Sequence, residues 1–473
     1  MYIIFRCGFI NRILFKRFKW ATMNQSKELI RLAEDELISG EYKKNLYSLS
    51  VPCPLPTFRY GDNTLFHTAG RAAGSFDFFL TIRKTTSQNA YFHIPFCRSE
   101  CLYCSYEKIT NPSNDLMDQY LDSLQWEIDR KKSLLGESLR PDIFYIGGGT
   151  PTILPLKTMA QLLRILDNAF MLHSNLEFTI ETTPQAVLAA DGEDKLQLFR
   201  EMGVNRINVG VQSFSAATAR RNGRNQTKKD IFDCFDRLRS VGFDKINLDL
   251  IYGLVGHTPE IWADDLKMAT AISPDSITTF SLRVRPGSTL HSLLQSGKIQ
   301  PVPEDDLLVM RIMAQRFLPE QGYMEDNSDY FIRSPEKRYL YQPFQPHNID
   351  RNLIGFGPSA YSLAGDRQIF NVRATSDYMQ RCSEITDPIG FVVELTPEEF
   401  ARKRFSEGLR TVFDDRIFTA EFSGSVFLMF PGIISRLQEL GLIRIAGPEI
   451  SLTFKGRILH DHVANYVKFA EAA

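Results

Sequence analysis

"YFHIPFCRSECLYCSYEK" (residues 91–108) closes a short apolar, aromatic-rich run and then places Cys97, Cys101 and Cys104 in a Cys-x3-Cys-x2-Cys spacing. Five further short runs share the character of the first: "DIFYIGGG" (142–149), "LEFTIET" (176–182), "RINVGVQS" (206–213), "KINLDLIYG" (245–253) and "SITTFSL" (276–282). They are rich in β-branched and aromatic residues and read as buried parallel strands. Between them lie helical stretches at 115–132, 157–170, 191–202, 228–241 and 259–271. In the first of these, Leu116, Tyr120, Leu121, Leu124 and Ile128 recur at helical spacing behind an Asn114-Asp115 capping signal. Strands joined by helical crossovers predict a parallel sheet wound in one hand and curled into a partial or complete barrel. Chemistry in such folds sits at the carboxyl ends of the strands, which is where the three cysteines fall.

Ligand count decides what three thiolates hold. A structural zinc site uses four ligands, usually as two close pairs, and no second Cys or His pair of that spacing follows. A [4Fe-4S] cluster held by three cysteines leaves one iron open, and such an iron can chelate S-adenosylmethionine (AdoMet). The 473 residues suffice for one large domain with appendages, and 43% hydrophobic with 23% charged content reads as soluble and globular. A formal net charge of -1 gives no global field toward nucleic acid or an acidic membrane. The other four of seven cysteines are scattered, which suggests a reducing, cytoplasmic setting. The first twenty residues carry five basic and no acidic side chains. They read as an upstream start with Met23 as the native one, a basic surface anchor or a leader, and no run is long enough for a transmembrane helix.

Several polar groups converge on the strand ends. Gly147, Gly148 and Gly149 close the second strand, where a ligand's polar groups could approach the backbone or where a tight turn is needed. Glu181, Gln212 and Asp249 end the third, fourth and fifth strands, and Arg224 lies within "RRNGR" (220–224) as an anion partner or a solvated surface arginine.

Over roughly residues 88–465 the chain resembles the radical AdoMet enzymes. "HIPFC" narrows the resemblance to the branch of the oxygen-independent coproporphyrinogen III oxidase, which also holds a haem chaperone and the class C radical AdoMet methyltransferases. "GGGTPT" (147–152), "IETTP" (180–184), "GVQSF" (210–214), "LDLIYGL" (248–254) and "LIGFGPSAYS" (353–362) match in order. The resemblance implies Cys97, Cys101 and Cys104 as ligands of a [4Fe-4S] cluster. It implies a first AdoMet held by the backbone around Gly148 and Gly149 and by Glu181, Gln212, Arg224 and Asp249, with Tyr91 packed beside it. Tyr103 and Thr150 match positions at a second AdoMet. The fold class expected is α/β: a partial (β/α)6 barrel over 86–300, an N-terminal extension over 1–85, barrel extension and pocket loops over 301–394, and a small winged-helix-like α+β domain over 395–473.

Departures from the branch steer the expected reaction. The oxidase has a fourth cysteine where this chain has Tyr106, and an N-terminal Arg-Tyr-Thr-Ser-Tyr-Pro stretch of which "FRYGDNTLF" (58–66) keeps only Arg59 and Tyr60. The chaperone's His-Asn-x-x-Tyr-Trp signature has its nearest counterpart in "HNIDRN" (347–352), which lacks both aromatics. The expectation is therefore a two-AdoMet methyltransferase or cyclopropanase acting on an sp2 carbon of a small molecule. Oxidative decarboxylation of coproporphyrinogen and non-catalytic haem binding are the alternatives. A flavodoxin or ferredoxin is the expected reductant, with no nucleic-acid partner, and the chain is expected to be a monomer.

Overall fold

Six parallel strands carry the frame: β1 (Ser87–Ile94), β2 (Ile143–Gly148), β3 (Glu177–Thr182), β4 (Arg206–Gln212), β5 (Ile246–Tyr252) and β6 (Ser276–Ser281). The computed structural model describes residues 26–49, 71–72, 87–136, 139–172, 176–341 and 351–470. The readings of residues 1–22, of 58–66 and of 347–350 lie outside these. β1 to β6 lie side by side in chain order, each pair in parallel register.

Alternation within each strand separates two faces. Phe92, Phe144, Ile146, Phe178, Ile180, Ile207, Val209 and Leu248 are sealed from solvent against the helices. Burying one such side chain is worth about 1.5–3 kcal/mol, so this layer is the main stabilising element of the frame. The covering helices are α1 (Asn114–Leu135), α2 (Leu156–Phe170), α3 (Gly192–Glu201), α4 (Lys228–Ser240) and α5 (Pro259–Ile272), followed by α6 (Glu304–Glu320). Helix α1 begins at Asn114, one residue before the predicted stretch. Ser113 is its cap, because its hydroxyl accepts a hydrogen bond from the Leu116 amide while Asn114 enters the first turn.

The sheet stays open. Its β6 edge continues antiparallel into β8 (Tyr330–Ile332) and β7 (Met324–Asn327). On the other side β9 (Arg351–Phe356) pairs in parallel with β1 and leads into β10 (Tyr361–Ala364), β11 (Arg367–Asn371) and β12 (Ile389–Glu394), ending at Arg71–Ala72. Helix α7 (Thr375–Ser383) lies between β11 and β12 in the chain. Sequence reading placed loops across much of this region. Strands β7, β8 and β10 have only three or four residues, which leaves no periodicity to read.

Beyond them, α8 (Pro397–Gly408), β13 (Val412–Asp414), α9 (Pro431–Glu439), β14 (Ile443–Ala446), β15 (Glu449–Leu452) and α10 (His460–Phe469) form a small module. Its sheet has the order β13-β15-β14, a β14–β15 hairpin with β13 as a third strand. Among the described residues no helix is long and apolar enough to cross a membrane.

Candidate functional site

The cysteine loop leaves β1 and is tied down by backbone hydrogen bonds on three sides. Phe96–Cys97 pairs in parallel with Ile109–Thr110, and the Asn111 amide donates to the Cys97 carbonyl at 3.0 Å, which closes the loop on itself. After β2, the Gly149 amide donates to the Ile94 carbonyl and the Thr150 amide to the Phe96 carbonyl, both at 2.8 Å. A Cβ at Gly149 would stand 2.4 Å from that Phe96 oxygen and 2.9 Å from Cys97 Sγ, so only glycine allows the two loops to meet. On the third side the Leu102 amide donates to the Asn222 carbonyl at 3.2 Å.

The three thiols share one small space. Burial pushes the Cys97 thiol up to about 11, reinforced by Cys104 and Cys101, and burial also raises Cys104. Arg224 Nη1 donates to Cys101 Sγ at 3.6 Å, and the Thr150 hydroxyl bonds to Cys97. Among the described residues no three His, Cys, Asp or Glu side chains close around a single metal ion. The donor set fits a [4Fe-4S] group with one iron left to another ligand.

Beside the loop, the polar strand-end residues come together as expected. Glu181 accepts hydrogen bonds from the Tyr145 hydroxyl and, at 3.1 Å, from the Gly148 amide. Asp249 accepts from Asn247 Nδ2 at 2.7 Å, and Arg224 Nη2 donates to the Gly210 carbonyl. Gln212 sits at φ +67°, where β4 bulges against β5, and its buried Oε1 has no protein partner. A non-glycine residue held in the left-handed region costs about 1–3 kcal/mol, so the bulge spends stability to aim this side chain. Tyr103 is hydrogen-bonded to Arg224 and to Cys101, within the loop itself.

An aromatic cluster lies beside Glu181. Tyr91 stacks on Tyr145 and Tyr341 with ring centroids 5.9 and 6.2 Å apart, Tyr145 stacks on Tyr341 at 4.3 Å, and Tyr339 stacks on Tyr330 at 5.8 Å. The Tyr91 hydroxyl meets His93 Nδ1 at 2.9 Å. Burial pushes the His93 imidazole down to about 4, so it is neutral at physiological pH. Sequence reading missed Tyr145, His93, Asn208 and Asn247. The signal was present: Tyr91/His93, Asn208/Gly210/Gln212 and Asn247/Asp249 recur at every second position, which puts them on one strand face. Tyr339 and Tyr341 had no such signal, because their segment has no regular structure.

Burial pushes the Glu181 carboxyl up to about 7 and Asp249 up to about 6. For Glu181, hydrogen bonds from Tyr145 and Gly148 oppose the shift and the Asp249 charge adds to it. A carboxyl raised in the native state binds more protons there than in the unfolded chain, so its contribution is lost as pH rises from about 4.3 to 7. Glu181→Gln should therefore raise the thermal midpoint of the cluster-free protein more at pH 8 than at pH 5, an effect of up to ~3 kcal/mol. Equal shifts at both pH values would contradict this assignment.

Residues 91–269 match the family model described as the Radical SAM superfamily. The chain is 30% identical over 387 residues to the oxygen-independent coproporphyrinogen III oxidase of Salmonella typhimurium, covering 78% of this chain and 82% of that protein. It is 29% identical over 385 residues to the heme chaperone HemW of Bacillus subtilis, covering 80% of this chain and 98% of the relative. The solved structure of the coproporphyrinogen III oxidase HemN from Escherichia coli superposes with a TM-score of 0.74 at 26% identity, over 89% of this chain and 97% of that one. These relatives overturn the expectation of methyl transfer or cyclopropanation and favour its stated alternatives. Tyr103 and Thr150 bond to the cysteines, and the "GFGPSAYS" segment is fastened to α1: the Gly357 amide donates to Glu127 Oε2 at 2.7 Å.

Proposed function

Since the chain belongs to the radical SAM superfamily, in the branch of the oxygen-independent coproporphyrinogen III oxidases and the haem chaperone HemW, we propose that it is a radical enzyme that oxidatively decarboxylates propionate side chains of a coproporphyrinogen-like tetrapyrrole. The observation that carries this reading is the tyrosine wall. Tyr91, Tyr145 and Tyr341 stack on one another beside Glu181, and Tyr339 and Tyr330 continue this aromatic surface, a lining of the kind that suits a flat pyrrole ring.

When bound, the cluster and AdoMet supply a 5'-deoxyadenosyl radical that takes one hydrogen atom from the substrate. The chain's part is to hold, orient and keep dry. Cys97, Cys101 and Cys104 would hold the cluster, with Thr150 and Arg224 orienting two of the sulfurs. Arg224 would pair with the AdoMet carboxylate, and Glu181, Gln212, Asp249 and the Gly148–Gly149 backbone would receive its remaining polar groups. Tyr91, braced by neutral His93, packs beside it and adds no charge to the cavity. In the substrate, the hydrogen leaves the methylene next to the pyrrole, where the ring stabilises the radical. The bond to the carboxylate then breaks, leaving a vinyl group, carbon dioxide and one electron for an acceptor. One AdoMet per propionate suffices.

Anaerobic reconstituted protein given AdoMet, a flavodoxin- or ferredoxin-type reductant and coproporphyrinogen III should yield vinyl-bearing products. Carbon dioxide and 5'-deoxyadenosine should form with them in a one-to-one ratio. Stoichiometric haem binding with no 5'-deoxyadenosine would move the reading to the chaperone relatives.

A further inference from the structure

Strand β4 ends in a turn that is tied down from two sides. The Ser213 amide donates to the Val211 carbonyl at 2.9 Å, which closes a three-residue turn on Gln212 at its positive φ. Such a backbone persists only where its surroundings over-determine it. On one side the Phe214 amide donates to Asp265 Oδ1 of α5 at 2.8 Å, and Asp265 Oδ2 lies 3.2 Å from His257 Nε2, both side chains buried. On the other side stands Gln226. Its Nε2 donates to the Val211 carbonyl and, at 3.2 Å, to the Ser213 carbonyl, the two carbonyls that flank Gln212.

The opposite end of the same amide reaches Arg224. Gln226 Oε1 accepts from Arg224 Nε at 3.3 Å, while Arg224 Nη2 donates to the Gly210 carbonyl and Nη1 faces Cys101 Sγ at 3.6 Å. Gln212 and Arg224 meet over Gly210, where a Cβ would stand 2.9 Å from Gln212 Nε2 and 3.9 Å from Arg224 Nη2. Gln226 itself is 3% exposed and starts from a fixed point, because the next residue, Thr227, caps α4 in a reciprocal box with Asp230. Its two N–H donors are both used inside the protein, whereas Gln212 Oε1 has no protein partner. Gln226 holds, and Gln212 is left for a ligand.

We infer that Gln226 is a positioning residue for AdoMet: one end of its side chain fixes the turn that aims Gln212, and the other sets the Arg224 guanidinium beside it. The inference rests on the assignment of Gln212 and Arg224 to AdoMet given above. Gln226 acts through these two residues and not by contact with the ligand.

The test measures AdoMet binding to the full-length, cluster-loaded protein by anaerobic equilibrium dialysis, with no tetrapyrrole present. Gln226→Leu, which removes both hydrogen-bonding ends, should weaken AdoMet binding about tenfold through misplacement of two contacts, with iron content unchanged. Gln226→Glu keeps the acceptor for Arg224 and loses the donors to the carbonyls, so its affinity should fall between those of Gln226→Leu and wild type. A value matching either extreme would contradict the two-ended role. In a Gln212→Ala background the loss caused by Gln226→Leu should shrink to about threefold, because one of its two routes is already gone. An undiminished loss there, or a loss that follows iron content, would overturn positioning and leave Gln226 a brace of the fold. Wild-type affinity in Gln226→Leu, with Gln212→Ala and Arg224→Ala both weakened, would sink the inference and spare the AdoMet assignment. Unweakened binding by Gln212→Ala and Arg224→Ala would sink both.

Discussion

Replacing any one of Cys97, Cys101 or Cys104 with Ala should leave a folded protein that has lost its brown chromophore, its AdoMet cleavage and most of its iron, from about four atoms per chain to below about one. Folding should survive because the loop's shape is set by its backbone. The Phe96–Cys97 pairing, the Gly149 and Thr150 amides and the Leu102–Asn222 bond involve no thiol. Cluster binding should not survive, because among the described residues no spare cysteine lies at hand. Cys234 and Cys382 are buried in helices α4 and α7, and position 106, where the oxidase-like pattern carries a further cysteine, is Tyr106. The measurement is iron and sulfide content with absorbance after anaerobic reconstitution. Four irons per chain in all three single variants would remove the cluster from this loop.

The second large effect concerns stability. Glu127 and Lys131 on α1 form an ion pair at 2.7 Å with no exposure of either side chain. Burial lowers the Lys131 ammonium, and Glu127 is the neighbour that opposes this. Every lone pair of the carboxylate is put to use. The Gly357 amide donates to Oε2 at 2.7 Å, the Tyr378 hydroxyl to Oε2 at 2.8 Å and Asn371 Nδ2 to Oε1 at 2.8 Å, while Lys131 donates to the Gly355 carbonyl. The pair thus bolts β9 and the turn after it onto α1. At that turn Gly357, at φ +95°, lets the chain pass within 2.7 Å of the His93 carbonyl, a distance measured from where its Cβ would be. Glu127→Ala should cost about 3–5 kcal/mol in denaturant unfolding, because it strands a buried ammonium along with three donors. Glu127→Leu with Lys131→Met should recover much of that loss, since an apolar pair leaves no stranded charge. A loss below about 1 kcal/mol for Glu127→Ala would show that water or relaxation replaces the network.

Much of the frame and the inner site was legible because both follow from short-range rules. Strands β2 to β6 were predicted to within one residue and the five covering helices α1 to α5 to within three, since apolar runs and capping residues state them locally. Strand β1 begins at Ser87, four residues before the run that announces it, because Ser87–Ala90 lacks the aromatic character of Tyr91–Phe96. The cysteine triad and the residues Glu181, Gln212, Arg224 and Asp249 do surround one space, as their places at strand ends imply. Illegible were features made by distant segments meeting. The tyrosine wall joins β1 and β2 to residues 339 and 341, and Arg283 meets Asp461 from almost two hundred residues away. The expected reaction failed for another reason. It was read from departures such as Tyr106, and a missing motif residue says what a chain lacks rather than which carbon reacts.

The central claim is hydrogen abstraction from a tetrapyrrole side chain, and isotope transfer tests it most directly. Coproporphyrinogen III deuterated at the propionate methylenes next to the pyrroles should place one deuterium in 5'-deoxyadenosine for each carbon dioxide released. Deuterium-free 5'-deoxyadenosine, with every label retained in the recovered tetrapyrrole, would contradict it.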